Sequence, residues 1–205
     1  MERKIYTQLV GWKNQKLHKP LILNGVRQCG KTYVLKEFGK REFESLVYVS
    51  CDRNENLKAI YAGGFDTSRI IQGLSALTGV DIIPGKTLIF LDEVQAFPQA
   101  LEALKYFCEE APGYAICCAG SLLGIALHEG TSFPVGKTDF LHLYPMSFKE
   151  FLIANEENML VDYIDNGNRN LGAFEARLTD YLKKYMIIGG MPAVVTEWLD
   201  SKDYN

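Results

Sequence analysis

The sequence predicts an α/β protein, a parallel sheet of five strands covered by helices on both faces, with a helical segment appended to it. Three observations predict this. Several short runs are apolar without polar alternation, as strands buried on both faces must be. Helix-length stretches separate those runs, the crossover length that parallel strands need. The 205 residues are 47% hydrophobic and 23% charged, enough to bury a core without disulfides or structural metal.

The elements follow in order. Residues 2–15 place Ile5, Leu9 and Trp12 at helical spacing among lysines, an amphipathic helix. Pro20 opens the apolar run Leu21-Ile22-Leu23, closed by Asn24-Gly25, and a helix follows over 31–40. Residues 46–50 are rich in β-formers and read as the second strand. Residues 52–61 and 67–78 read as helices separated by Gly63-Gly64. The run 87–91 is a fully apolar strand that ends abruptly at Asp92-Glu93. Pro98 suits the first turn of a helix reaching Glu110, with Leu101, Leu104 and Phe107 on one face. Residues 114–119 and 140–143 are the last two strands.

After Tyr144-Pro145 the pattern turns helical. Ser147 and Glu150 have the spacing of a capping box before Phe151-Leu152-Ile153. A polar turn over 165–170 precedes a helix with Phe174, Leu178, Leu182 and Tyr185 on one stripe. Gly189-Gly190-Met191-Pro192 interrupts it, as a hinge or as a terminating turn, and a short helix follows. The expected division is a core over 1–144 and a helical segment over 145–205, either a lid or the start of a following domain.

Charge and cysteine usage exclude several classes. Basic residues number 22 against 25 acidic, a net charge of −3, which argues against a global polyanion-binding surface. Nucleic acid is not an expected partner of this segment. Five cysteines without C-x-x-C spacing and three histidines without ligand spacing support neither a disulfide framework nor a zinc site. No apolar leader and no uncharged stretch of about 20 residues is visible. A soluble cytoplasmic protein with reduced, mostly buried cysteines is expected. Cys117 and Cys118 read as core residues, and His128 and His142 as surface or edge-strand residues.

Gly25-Val26-Arg27-Gln28-Cys29-Gly30-Lys31-Thr32 matches G-x-x-x-x-G-K-S/T in full, between an apolar strand and a helix. Glycines let such a loop curl so that backbone N–H groups point inward around phosphate oxygens. The helix N-terminus adds its positive dipole end. Lys31 reaches the β- and γ-phosphates and Thr32 offers its hydroxyl to Mg²⁺. A chain of this length matches the string by chance roughly once in a hundred. The nucleotide-binding residues are therefore Gly25, Val26, Arg27, Gln28, Cys29, Gly30, Lys31, Thr32 and Tyr33. Cys29 reads as a loop spacer, since no histidine is assigned beside it to make it a nucleophile. Gly136-Lys137-Thr138 repeats the end of the motif, but Thr131 occupies the first glycine position and a strand follows. It is rejected as a second phosphate loop.

Asp92 stands at a strand tip about sixty residues after Thr32, placed to hold Mg²⁺ opposite it. Glu93 is then positioned to polarise the water that attacks the γ-phosphate. The pair separates ATPases with a catalytic glutamate from GTPase-type and kinase-type relatives. Strand four ends at Cys117-Cys118-Ala119-Gly120-Ser121. In the ATPase arrangement this strand lies between the other two, so Ser121 faces the γ-phosphate. Its alternative role is to cap a helix beginning at Leu122.

These stretches together resemble the AAA-type P-loop ATPases of bacteria and archaea whose full chains carry a C-terminal nuclease-like domain of unknown function. The matching residues are the run from Pro20 to Thr32, Phe90-Leu91-Asp92-Glu93-Val94-Gln95, Ala119-Gly120-Ser121-Leu122-Leu123-Gly124, the run from Leu143 to Leu152, and Gly189-Gly190-Met191-Pro192. The resemblance implies a three-layer P-loop NTPase core of the additional-strand, catalytic-glutamate type with Ser121 at the sensor position. It implies ATP and Mg²⁺ as cofactors, ATP hydrolysis as the activity, and a homo-oligomer or protein partner that could supply an arginine finger. A nucleotide-dependent switch with little turnover is the alternative. Val26 and Cys29 replace the family's usual proline and valine, and Lys137 its usual arginine. The family's chains are about twice this length, so this chain is expected to be its N-terminal ATPase portion.

Overall fold

A computed structural model describes residues 3–121, 136–167 and 172–201. The chain divides into two compact units, one formed by Ile5–Leu143 and one by Met1–Lys4 together with Tyr144–Asn205.

The Ile5–Leu143 unit runs α1 (Ile5–Lys13), β1 (Leu21–Asn24), α2 (Lys31–Glu42), β2 (Ser45–Ser50), α3 (Glu55–Tyr61) and α4 (Thr67–Thr78). It continues with β3 (Thr87–Asp92), a 3₁₀ turn (Val94–Ala96), α5 (Pro98–Glu110), β4 (Ala115–Gly120) and β5 (Asp139–His142). All strand pairs are parallel, in the order β2-β3-β4-β1-β5. The sheet is thus the five-stranded parallel α/β sheet expected, and β4 does lie between β1 and β3.

Alternating side chains of each strand enter separate cores, because strand residues point to opposite faces in turn. Ile22, Ile89, Leu91, Ile116 and Cys118 pack with residues of α3, α4 and α5. Leu21, Leu23, Leu88, Phe90, Cys117 and Ala119 pack with α1 and α2, including Leu9, Trp12, Leu35 and Phe38. That is the physical content of three layers. It also sends the neighbouring thiols of Cys117 and Cys118 into different cores, both fully buried.

Local signals fix several ends. Asp66 caps α4 by accepting the Arg69 N–H at 2.8 Å. Gly79 closes that helix at φ 70°, a left-handed conformation that glycine adopts without steric cost. Pro98 occupies the first turn of α5. The 3₁₀ turn after Asp92 has no counterpart in the periodicity, which is too short-ranged to register three residues. The fourth strand begins and ends one residue later than expected, and α1 begins at Ile5.

In the second unit, α6 (Phe148–Ala154), α7 (Asn158–Asn166), α8 (Gly172–Ile188) and α9 (Pro192–Ser201) follow one another. The capping box forms. The Ser147 N–H donates to Glu150 Oε2 at 2.7 Å, and the Glu150 N–H to Ser147 Oγ at 3.3 Å. Glu150 Oε1 also accepts from Arg3 Nε at 3.0 Å and from the Lys4 N–H at 2.9 Å. Met146, Phe151, Val195 and Trp198 make the local core. Glu157 plays a similar part between helices, accepting from Arg177 Nη2 and Tyr181 Oη, each at 2.6 Å.

Gly189 ends α8 in the left-handed conformation at φ 76°, its N–H donating to the Tyr185 carbonyl at 2.8 Å. Gly190 donates no such freedom. Its carbonyl accepts the Met146 N–H, and a Cβ there would stand 2.2 Å from the Met146 carbonyl oxygen. The pair forms a helix-terminating turn, packed against the Met146 backbone. Among the described residues no helix is long and apolar enough to cross a membrane.

Candidate functional site

The C-terminal ends of β1, β4 and β3 lie side by side, and the residues just beyond them form the site. In open α/β sheets this edge is where ligands bind. Register sets the heights. Asn24 pairs with Gly120, so Ser121 stands level with Gly25, and Leu91 pairs with Cys118, so Asp92 stands level with Ala119.

The loop from Gly25 to Gly30 joins β1 to α2. Asn24 fixes its start twice, its carbonyl accepting the Leu143 N–H and its Oδ1 the Gly25 N–H, both at 2.8 Å. Gly25 is required by space, since a Cβ would lie 2.3 Å from the Leu143 carbonyl oxygen. The left-handed positions that curl the loop are Gly30 at φ 94° and Gln28 at φ 63°. The sequence reading credited glycines alone with the curl. Gln28 is the correction, a non-glycine residue held in a conformation that costs about 1–2 kcal/mol, and such strain gathers at functional loops.

Lys31 opens α2 and is only 6% exposed. Its Nζ donates to the Gly25 carbonyl at 2.9 Å and to the Val26 carbonyl at 2.8 Å, so the ammonium spans the loop. The first helical bond runs from the Val34 N–H to the Gly30 carbonyl at 3.0 Å. The N–H groups of the preceding first turn therefore have no intrahelical acceptor. Those orphan donors, the curled loop and the ammonium make a concavity suited to an anion.

The Cys29 side chain turns into the core. It is fully buried, with its Sγ 3.5 Å from the Leu143 carbonyl oxygen, and belongs to the core under α1 and α2. A loop-spacer reading misses this because the string fixes loop length and not the direction of each side chain. Val26 and Tyr33, in contrast, are largely exposed beside the loop.

Asp92 closes β3 with only 4% of its surface exposed. Its Oδ2 accepts from Thr32 Oγ1 at 2.8 Å and from Tyr48 Oη at 3.3 Å, and its Oδ1 accepts the Glu93 N–H at 3.0 Å. Burial first, and then the adjacent Asp92 carboxylate, raise the Tyr48 phenol above its ordinary value. Glu93 itself is left-handed at φ 50°, and its Oε2 accepts from Gln95 Nε2. Burial, with the Asp92 and Glu93 carboxylates nearby, pushes the Cys51 thiol up to about 12. Ser121 is 2% exposed, and its hydroxyl has no hydrogen-bond partner among the described residues.

The structure thus brings Gly25, Lys31, Thr32 and Asp92 together, with Glu93 and Ser121 on the adjoining strand ends. Tyr48 and Gln95 were missed by the sequence reading. Gln95 had a signal, two residues after Glu93, but Tyr48 enters only through strand pairing. The Thr32 hydroxyl and Asp92 carboxylate are hard oxygen donors within one hydrogen bond of each other, the chemistry that Mg²⁺ takes from a protein beside phosphate oxygens. Among the described residues no cluster of three His, Cys, Asp or Glu could hold a metal by protein ligands alone. The capping role for Ser121 before Leu122, the non-glycine Thr131 and the placement of His128 lie outside the described residues. Lys137 pairs with Glu109 at 2.9 Å just before β5, so a strand does follow the rejected motif. His142 is exposed on β5, an edge strand of the sheet.

A family model described as AAA domain matches residues 17–152. Among solved structures, a closed-state cryo-EM reconstruction of Hsp104 with ATPγS and FITC-casein superposes with a TM-score of 0.54 at 15% identity. The match covers 95% of this chain and 35% of that one. The Orc1 protein of Aeropyrum pernix in complex with DNA gives a TM-score of 0.48 at 15% identity, over 77% of this chain and 50% of that one. This chain therefore spans half or less of each. At such identity the likeness to Hsp104 is one of fold. Among curated proteins none matches the sequence.

Proposed function

This chain belongs to the AAA domain family, and we propose that its Ile5–Leu143 unit binds ATP with Mg²⁺ and hydrolyses it to ADP and phosphate. The single observation that carries the reading is the 2.8 Å bond from Thr32 Oγ1 to Asp92 Oδ2, which joins the phosphate-binding loop to the acid at the strand tip.

In this reading the loop N–H groups and the first turn of α2 hold the phosphates. Lys31 leaves the Gly25 and Val26 carbonyls and turns its ammonium to the β- and γ-phosphates. Thr32 and Asp92 hold Mg²⁺, which when bound neutralises charge on those phosphates. Glu93 accepts a proton from water as the water oxygen bonds to the γ-phosphorus and the bond to the ADP oxygen breaks. The Ser121 hydroxyl, which has no hydrogen-bond partner among the described residues, donates to the γ-phosphate. Val26, Arg27, Gln28, Cys29 and Gly30 contribute through the loop backbone, and Tyr33 through the first turn of α2. Assembly with a second copy or a protein partner would supply an arginine to the same phosphates.

One observation favours a second reading, a nucleotide-dependent switch with little turnover. Glu93 Oε2 accepts from Gln95 Nε2, a bond that would have to open for that oxygen to take a proton from water. Phosphate release from ATP, measured for the wild type and for Lys31→Ala, tests both. Turnover in the wild type that is lost in Lys31→Ala supports hydrolysis. Tight ATP binding without turnover leaves both readings standing, because a partner could supply the missing arginine, and no nucleotide binding overturns both.

A further inference from the structure

Strand pairing brings into the site a residue that belongs to no motif. Tyr48 of β2 pairs with Phe90 of β3, and Ser50 with Asp92. Tyr48 and Asp92 are therefore diagonal neighbours on one face of the sheet, about 7–8 Å apart at the backbone, a gap that a long aromatic side chain can bridge. The phenol reaches Asp92 Oδ2 at 3.3 Å, the same oxygen that accepts from Thr32.

The ring is held from two more sides. The Phe90 ring centroid lies 5.3 Å away, and Lys36 Nζ stands 3.5 Å from the Tyr48 ring centroid. Lys36 follows Thr32 by four residues on α2, so the two share a helix face. A row on the helix, Thr32 and Lys36, thus covers a diagonal on the strands, Asp92 and Tyr48, each helix residue touching one strand residue. Packing alone would explain a tyrosine on Phe90. It does not explain a hydroxyl directed at the one carboxylate oxygen that Thr32 uses.

We propose that Tyr48 is a positioning residue for the divalent-cation site, its phenol holding Asp92 Oδ2 in the ligating orientation. The inference rests on the MgATP reading above. A bound cation would take a lone pair of the Thr32 hydroxyl, whose proton can still go to Asp92 Oδ2. Oδ1 is held by the Glu93 N–H, and Tyr48 is the side-chain donor on Oδ2 that would not itself ligate the cation. Partners one layer behind a metal ligand commonly set metal affinity by 10–100-fold.

The test separates this role from ring packing and from the parent reading. Tyr48→Phe removes the hydroxyl and keeps the ring between Phe90 and Lys36, and Tyr48→Leu removes both. For each protein, Mg²⁺ is titrated at a fixed concentration of fluorescent N-methylanthraniloyl-ATP, and the affinity for that analogue is measured separately in EDTA. Tyr48→Phe should raise the Mg²⁺ midpoint about 10-fold, with the affinity in EDTA unchanged. An unchanged midpoint in Tyr48→Phe overturns the proposal and leaves the MgATP reading standing. So does a weakened midpoint confined to Tyr48→Leu, which would assign the effect to the ring. An equal loss with and without Mg²⁺ also overturns it, as the mark of a structural role. If the wild type fails to bind the analogue, or binds it indifferently to Mg²⁺, the parent reading fails and the proposal falls with it.

Discussion

Gly25 and Leu143 approach so closely that a single methyl group on the glycine would stand 2.3 Å from the leucine carbonyl oxygen. Leu143 follows β5, and its N–H is held by the Asn24 carbonyl at 2.8 Å, so it cannot move away without opening the sheet edge. Gly25→Ala should therefore shift the phosphate-binding loop. The expected outcome is a loss of about 1–3 kcal/mol in stability, the usual range for overpacking, and a larger loss in ATP affinity than in Tm. Calorimetry with and without nucleotide checks it. An alanine variant that binds ATP normally would show that the loop has room the geometry denies.

Glu93→Gln keeps the shape of the side chain and removes its ability to take a proton. ATP should stay bound while turnover falls at least ~100-fold, the lower end of general-base contributions. Single-turnover phosphate release measures it. Normal hydrolysis by this variant would move the proton acceptor elsewhere.

Thiol chemistry should follow burial. Cys29, Cys51, Cys117 and Cys118 are buried, and Cys108 is partly exposed. Burial, and then the nearby carboxylates, push the Cys51 thiol up to about 12, which removes the reactive thiolate near neutral pH. Iodoacetamide should modify Cys108 first in the folded protein, by peptide mass spectrometry. Nucleotide should not alter Cys29 labelling, because its Sγ is shielded beneath the loop. Fast labelling of Cys29 that ATP blocks would place that thiol in the phosphate concavity.

The second unit should be acid-sensitive. Burial would raise the Glu150 carboxyl, but the Ser147 and Lys4 N–H groups and the Arg3 guanidinium together hold it below its ordinary value of 4.5. A depressed carboxylate stabilises the fold above its unfolded value, and that stability is lost as pH falls through the folded value. Glu150→Gln should cost about 2 kcal/mol at neutral pH, as expected for hydrogen bonds to a charged group. The difference from wild type should shrink as pH drops below 4.5. Thermal melts from pH 7 to pH 3 read it directly, and a gap independent of pH would remove the carboxylate's charge from the account.

Much of the molecule was legible in one dimension because its signals are local. Leu21-Ile22-Leu23 and Leu88-Ile89-Phe90-Leu91 read as strands because every position is apolar. Ser147 and Glu150 read as a capping box because both partners lie within one helical turn. The phosphate-binding loop was legible for the same reason, as eight consecutive residues whose spacing is itself the requirement. The Gly189-Gly190 pair was only half legible. Composition permits a turn there, but its packing against the Met146 backbone, more than forty residues away in sequence, is not in the composition.

The sequence by itself determined the fold class, the strands and α-helices of the Ile5–Leu143 unit, and Lys31, Thr32, Asp92 and Glu93 as the residues of interest; it did not separate the helix Asn158–Asn166. Each of those follows from a pattern shorter than one element. Tertiary structure alone decided that Thr32 meets Asp92, that Gly25 lies against Leu143, that Cys29 turns inward, and that Tyr48 joins the site. Each of these depends on which strands are neighbours and in what register. A shift of one residue would turn Tyr48 to the opposite face and away from Asp92. Register is set by the whole apolar pattern packing at once, so no short window of sequence contains it.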